Sequence, residues 1–165
     1  MTRQGWNDPA ITYETKEEND MQIRPMTIQD RSIVLTMVRE FYQSDAVEHP
    51  VPDTIMERTF SDAIEENPYL SGYLMESDGH VVGFAYLTFF YACEVAGYVI
   101  MIEELFVREA YRGQGLGQQF LDWLYQAYPA AARFRLEIHQ GNPAVRLYER
   151  NGFQWIDYGQ MAYDV

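Results

Sequence analysis

The sequence predicts a single α/β domain of the α+β kind, in which helices flank a central mixed and mostly antiparallel sheet. Segments with apolar residues at helical spacing alternate with extended apolar runs, and a short polar turn joins two of those runs. The 165 residues suit one domain, and a hydrophobic content of 47% is enough for a core. We assign residues 21–165 to this domain and the polar, acidic residues 1–20 to an N-terminal arm.

The domain is predicted to begin with a strand and a helix. Residues 21–26 form a short strand, and Pro25 indicates an edge position because it cannot donate a ladder hydrogen bond. Thr27 is expected to cap a helix that runs to about Ser44, with Asp30 in the third position of a capping box.

A second helix and three long strands are expected next. Asp53 caps the helix, which ends before Pro68. The strands are then predicted at residues 69–76, 81–91 and 98–107, with a hairpin turn at residues 77–80 between the first two.

The last third of the chain alternates between helix and strand. A glycine-rich turn leads into a helix that ends near Pro129, and residues 134–138 form a strand. Asn142 opens a short helix that carries Pro143 in its first turn and ends at Gly152. Residues 153–164 are expected to close the sheet as one or two strands.

The glycine-rich turn is the most specific feature of the sequence. It reads Arg112-Gly113-Gln114-Gly115-Leu116-Gly117 and lies between a strand and a helix. Glycines allow the backbone to approach a ligand, and the unpaired amides of a helix start favour an anion such as a diphosphate. The turn lacks the lysine of a Walker loop, and its GxGxG spacing differs from the dinucleotide fingerprint GxGxxG.

Two stretches of the sequence resemble a known family. Residues 102–124 resemble the central motif of the Gcn5-related N-acetyltransferases (GNAT), whose pattern [RQ]-x-x-G-x-[GA] is met by Arg112, Gly115 and Gly117. Residues 142–153, NPAVRLYERNGF, resemble the second motif of that family. Within the family, the chain is most similar to the diamine acetyltransferase branch.

This resemblance implies that acetyl-CoA is the co-substrate and that the sheet splays between its fourth and fifth strands. The coenzyme would lie in that splay, with its pantetheine arm along the backbone of the fourth strand and its diphosphate on the glycine turn. The residues implied are Leu105, Phe106, Val107, Arg112, Gly113, Gln114, Gly115, Leu116, Gly117, Gln118 and Asn142. Asn142 could equally cap its own helix, and Arg108 is either a phosphate contact or a surface arginine.

Acetyl transfer to an amine needs a base, because a primary amine with a pKa of about 10 arrives protonated. Glu103 and Glu104 interrupt an apolar strand, and alternation lets only one face a given ligand unless a bulge re-aims the strand. By resemblance, Glu103 matches the base and Glu104 a second acid that faces the substrate, with direct or water-relayed abstraction both open. Resemblance also implies that Tyr148 protonates the leaving thiolate and that the Leu105 amide binds the oxyanion.

Charge and composition restrict the partners. The chain has 25 acidic and 12 basic residues, a net charge of −13, which disfavours nucleic acid and favours a cationic amine. No apolar run reaches the roughly 18 residues of a membrane span, and we expect a cytoplasmic protein. The scattered histidines predict no metal site, and the single cysteine, Cys93, has no evident activating neighbour.

The sequence therefore predicts an acetyl-CoA-dependent N-acetyltransferase that acts on a primary amine by direct attack in a ternary complex. The alternative is a non-catalytic acyl-CoA-binding sensor or interaction module with the same fold. An enzyme that uses an antibiotic or a longer acyl chain also stays open. We expect a homodimer, from the family resemblance and from the aromatic residues of the arm and the C-terminal segment.

Overall fold

A five-stranded sheet organises the chain. The computed structural model describes residues 21–44 and 50–163; the predicted N-terminal arm and residues 45–49 lie outside this part. The sheet order is β1-β2-β3-β4-β5, antiparallel from β1 to β4 and parallel between β4 and β5. The strands are β1 Gln22–Pro25, β2 Leu70–Ser77, β3 His80–Ala92, β4 Gly97–Val107 and β5 Arg133–Leu136. The mixed, mostly antiparallel sheet is confirmed, as is the edge position of Pro25.

In the described part of the chain, four α-helices cover the two faces of the sheet: α1 Arg31–Tyr42, α2 Asp53–Ile64, α3 Leu116–Ala127 and α4 Val145–Arg150. One face packs its apolar side chains, such as Phe84 and Phe106, against α1 and α2. The other packs against α3 through a second cluster that includes Phe120 and Leu124. Each helix buries one stripe, which matches the predicted helical spacing. Within the described ranges, no helix has the length and apolar character needed to cross a membrane.

The start of α1 is fixed to the sheet edge by a buried carboxylate. Asp30 accepts hydrogen bonds from the Thr27 backbone amide and from both terminal nitrogens of Arg24, each at 2.8 Å. This is the predicted capping-box contact, although a 3-10 turn, Ile28–Asp30, precedes the α-helix. The prediction for α2 was wrong in one detail. Its N-cap is Pro52, and the Asp53 carboxylate instead pairs with Arg39.

A β-bulge interrupts the pairing of β3 with β4. Tyr86 lies opposite Glu104 but the next residue, Leu87, lies opposite Ile102, so Glu103 is the extra residue on β4. The bulge breaks the alternation of side chains at this point. Glu104 pairs with Tyr86, and Glu103 bonds to Thr88 two residues further along the same face. Both glutamates therefore project from one face of the sheet. From the sequence, this arrangement is expected only if a bulge is present.

The parallel pairing of β4 with β5 is short. It begins at Val99 and Arg133 and ends at Ile102 and Leu136. Beyond Ile102, residues 104–107 therefore have a partner on the β3 side only, and the bulge residue Glu103 has none on either strand. This separation matches the predicted splay between the fourth and fifth strands.

The C-terminal segment does not form the predicted closing strands. Residues 153–163 contain no strand, and the large side chains of Trp155, Tyr158 and Met161 are exposed. An extended apolar pattern becomes a strand only where a neighbouring strand supplies hydrogen bonds, and no described segment pairs with this one. The short helix also starts later than expected, at Val145, because the Asn142 side chain and backbone form a turn ahead of it.

We predict that Asp30→Asn destabilises the protein in a pH-dependent way. The hydrogen bonds from Arg24, with those from Thr27, lower the pKa of Asp30 to about 2. The stabilisation from a lowered pKa is complete above the ordinary value of 3.8 and is lost as the pH falls through 2. The variant should lose about 1 to 2 kcal/mol at pH 7, and the loss should shrink below pH 4 in urea unfolding. An equal loss at pH 7 and pH 3 would contradict this.

Candidate functional site

A cleft of about 1130 Å³ opens where β4 and β5 separate. Its walls come from the end of β4, the glycine turn, the first turn of α3, the segment after β5, and α4. Of the residues singled out by sequence, those that line it are Glu103, Leu105, Phe106, Val107, Arg112, Gly113, Gly115, Leu116, Gly117, Gln118, Asn142 and Tyr148. Three residues do not line it: Glu104 and Arg108, which are treated below, and Gln114, whose side chain donates to the Ala110 carbonyl.

The glycine turn adopts a conformation that suits glycine. Gly113 and Gly115 have φ values of +76° and +81°, in the left-handed region, and a Cβ at either position would meet no atom within 4 Å. Gly115 is the N-cap of α3, and the first amide of the helical ladder is that of Gln119. The amides of the first helical turn therefore precede the ladder and can bind an anion at the positive end of the dipole.

Side-chain hydrogen bonds join the first turn of α3 to the end of α4. Gln118 and Asn151 exchange two side-chain amide hydrogen bonds, each of 2.8 Å. A Cβ at Gly117 would lie 2.8 Å from a methyl of Leu147, so the absence of a side chain lets the two helices meet. The glycine turn and the helix that carries Tyr148 are thus held in a fixed relation.

Tyr148 is a buried, neutral phenol in the lining of the cleft. Its side chain is buried, packs edge-on against Phe153 and lines the cleft. Burial raises the pKa of its phenol to about 12, with a smaller contribution from Tyr125. The hydroxyl therefore keeps its proton near neutral pH and can donate a hydrogen bond into the cleft.

Glu103 and Glu104 differ in their surroundings although the bulge puts them on one face. Glu103 is exposed, lines the cleft and accepts a hydrogen bond of 2.5 Å from the Thr88 hydroxyl. Glu104 lies behind the cleft lining and accepts a hydrogen bond of 2.6 Å from Tyr42. Only Glu103 is thus placed to meet a molecule in the cleft directly.

Glu104 belongs to a buried cluster with two tyrosines. Its second carboxylate oxygen and the Tyr86 hydroxyl have no hydrogen-bond partner among the described residues. Burial raises the pKa of Glu104 to about 7, the bond from Tyr42 opposes this, and the charge of Glu103 adds to it. Burial also raises the pKa of both tyrosines above the ordinary value of 10.

The remaining candidates divide between the cleft and the surface. Arg112 lines the cleft, donates to the Val107 carbonyl at 2.9 Å and lies over the ring of Phe106. Arg108 is not part of the lining and pairs with Glu40 at 3.4 Å, so it acts as a contact between β4 and α1. Asn142 lines the cleft, and its side-chain oxygen accepts the Ala144 amide at 2.9 Å.

Sequence reasoning missed several residues of the cleft. Phe41, Gln43 and Ser44 reach it from the end of α1, and Arg146 and Arg150 reach it from α4. The arginines are four residues apart in a helical segment and so share one face, a signal that was present in the sequence. Asp45, Glu48 and His49 lie outside the described part of the chain. Within that part, no group of three or more potential metal ligands occurs.

We predict that Glu104→Gln changes the pH dependence of stability. A group whose pKa rises on folding contributes to the free energy of unfolding at low pH. That contribution is lost as the pH rises through the pKa of the folded state. Between pH 4.5 and 7 the wild type should therefore lose on the order of 3 kcal/mol that the variant keeps. Urea unfolding of both proteins at pH 4.5, 6 and 8 measures this. Parallel pH profiles would contradict the buried position of this carboxylate.

Solved structures share this fold. A possible acetyltransferase from Clostridium difficile 630 matches with a TM-score of 0.75 at 14% identity, over 88% of this chain and 97% of that chain. A predicted acetyltransferase from Clostridium acetobutylicum, solved with acetyl-CoA, gives 0.71 at 18%, over 87% and 96%. The aminoglycoside N-acetyltransferase AAC(6')-Iy in complex with CoA gives 0.70 at 15%, over 91% and 98%.

A family model gives the relationship at the level of sequence. The model of the acetyltransferase (GNAT) family matches residues 35–153, which are 119 of the 165 residues. The match includes β4, the glycine turn, α3 and the helix that carries Tyr148. The chain therefore belongs to the GNAT family of acetyltransferases.

Proposed function

We propose that this chain is an acetyl-CoA-dependent N-acetyltransferase that acylates a primary amine of a cationic small molecule within a ternary complex. The observation that carries the proposal is the composition of the cleft. One cavity is lined by an anion-binding helix start, a buried neutral phenol and an exposed carboxylate. Those are the groups that binding of a diphosphate, protonation of a thiolate and deprotonation of an ammonium require.

The cleft fits the coenzyme by two features. Beyond Ile102, β4 has a partner on one side only, so its other edge is open to an extended chain with amide groups. The space around Gly113 and Gly115 is empty, which leaves room for phosphate oxygens at the amides. We assign the pantetheine arm to residues 105–107 and the diphosphate to the amides of residues 113–118. Acetyl-CoA would supply an acetyl thioester at this place.

Different residues of the cleft carry out the proton transfers of the reaction. Glu103 accepts a proton from the incoming ammonium, directly or through water, because it is the glutamate that lines the cleft. The backbone amide of Leu105 stabilises the oxyanion that develops on the carbonyl. The Tyr148 hydroxyl protonates the departing thiolate. Glu104 lies behind Glu103, and burial together with the charge of Glu103 raises the pKa of Glu104.

The acceptor is proposed to be cationic because acidic residues outnumber basic ones in the first 104 residues. Residues 1–104 contain 19 acidic and 6 basic residues. The resemblance to the diamine acetyltransferase branch supports a diamine or polyamine. The similarity to an aminoglycoside N-acetyltransferase supports a multiply charged amine of another kind. Both share closely spaced ammonium groups, which an exposed carboxylate attracts.

An amine panel tests the proposed function. Release of free thiol from acetyl-CoA is followed with spermidine, putrescine, lysine, an aminoglycoside and a peptide as acceptors. We expect turnover with at least one cationic amine, and a decrease in kcat of about 100-fold or more in Glu103→Gln because the base is lost. Glu66→Gln, an exposed glutamate on the loop after α2, is the control. Coenzyme binding without turnover of any acceptor would favour the non-catalytic alternative.

We predict that Tyr148→Phe lowers kcat with little change in the Kd of acetyl-CoA. The variant keeps the buried ring and its packing on Phe153 but lacks the proton donor, so the expected decrease is about 10- to 100-fold. Tyr91→Phe, an exposed tyrosine at the far end of β3, is the matched control. Equal kcat values for wild type and Tyr148→Phe would remove Tyr148 from the mechanism.

A further inference from the structure

The arginines of the described part of the chain fall into two groups. Six form ion pairs with carboxylates: Arg24, Arg31, Arg39, Arg58, Arg108 and Arg133. The other four described arginines have no carboxylate within ion-pair distance: Arg112, Arg135, Arg146 and Arg150. Acidic residues outnumber basic ones by 25 to 12, so an arginine without a carboxylate is unexpected. Three of these four line the cleft, and only Arg135 does not.

Arg146 and Arg150 line the same cleft as the glycine turn. They lie four residues apart on α4 and so share one helix face. Arg146 precedes Leu147, whose methyl group touches the space over Gly117. Arg150 precedes Asn151, which is bonded to Gln118 in the first turn of α3. Both guanidinium groups are therefore attached to the part of α4 that contacts the start of α3.

We propose that Arg146 and Arg150 bind a phosphomonoester of the ligand, separate from the diphosphate that the glycine turn holds. This inference rests on the proposed function, in which the ligand is coenzyme A. That molecule carries a diphosphate and, on its ribose, a third phosphate. The amides of α3 take the first of these groups, and the two arginines of α4 take the second.

The chemistry of the groups supports this division. A phosphomonoester carries a charge of about −1.5 to −2 at pH 7 and accepts several hydrogen bonds. Guanidinium groups match such an anion by their planar array of donors. A chain with a net charge of −13 repels a polyanion at long range, so local positive charge is needed at the place of contact. Unpaired arginines supply that charge without first having to break an ion pair.

The test compares coenzyme A with dephospho-coenzyme A, which lacks only the ribose phosphate. Calorimetry measures the Kd of both ligands for the wild type, for the double variant Arg146→Gln/Arg150→Gln, and for Arg135→Gln as the matched control. Arg135 is also unpaired but lies on β5, outside the cleft lining. We expect the wild type to prefer coenzyme A by about tenfold at low salt, since two exposed charge pairs contribute. Raising the salt concentration should reduce that preference.

The outcomes separate the two proposals. The double variant should bind both ligands with nearly equal Kd and keep the wild-type Kd for dephospho-coenzyme A, which also shows that it is folded. Arg135→Gln should retain the preference. A wild type that binds both ligands equally, or a double variant that keeps the preference, would overturn the assignment of the arginines and leave the proposed function intact. A wild type that binds neither ligand would overturn the proposed function itself.

Discussion

The separation of β4 from β5 after the Ile102–Leu136 pair is the constraint on which the site depends. If the ladder continued, the edge of β4 would be satisfied and no cleft would exist. Because it stops, residues 104–107 stay paired with β3 while their other edge faces open space. The two helices that border this space are joined by the Gln118–Asn151 amide pair and by the contact over Gly117. Because the pairing of β4 with β5 stops early, the open backbone edge of β4, the start of α3 and α4 all border one cleft.

The bulge at Glu103 has a second effect on the same strand. By adding one residue, it turns two neighbouring carboxylates to one face and gives them unequal environments. Glu103 faces the cleft beside Thr88, while Glu104 is enclosed by Tyr42 and Tyr86. Two like charges this close raise the free energy of the doubly ionised state, and burial of one of them adds to that cost. Burial raises the pKa of Glu104 to about 7, so this carboxyl binds a proton more readily than an exposed one does.

Much of this arrangement could be predicted from the sequence. Hydrophobic spacing located the helices and strands, the Asp78-Gly79 turn marked the β2–β3 hairpin, and three alternating glycines marked the turn that leads into α3. The bulge could not be predicted, because two adjacent glutamates give the same sequence pattern whether the strand is regular or carries an extra residue. The closing strands at residues 153–164 were wrong because spacing describes a side-chain pattern and not the presence of a pairing partner. The division between paired and unpaired arginines depends on long-range contacts that spacing does not contain.

The single cysteine of the chain has a practical consequence. Cys93 is exposed and lies in the short turn between β3 and β4. From Ala85, opposite Leu105, β3 continues to Ala92, opposite Gly97, a rise of about 23 Å. A maleimide fluorophore or a nitroxide spin label would therefore attach at one defined position, Cys93, remote from the cleft. Labelled protein could then follow ligand-induced motion by energy transfer or electron paramagnetic resonance, with no competing thiol to remove first.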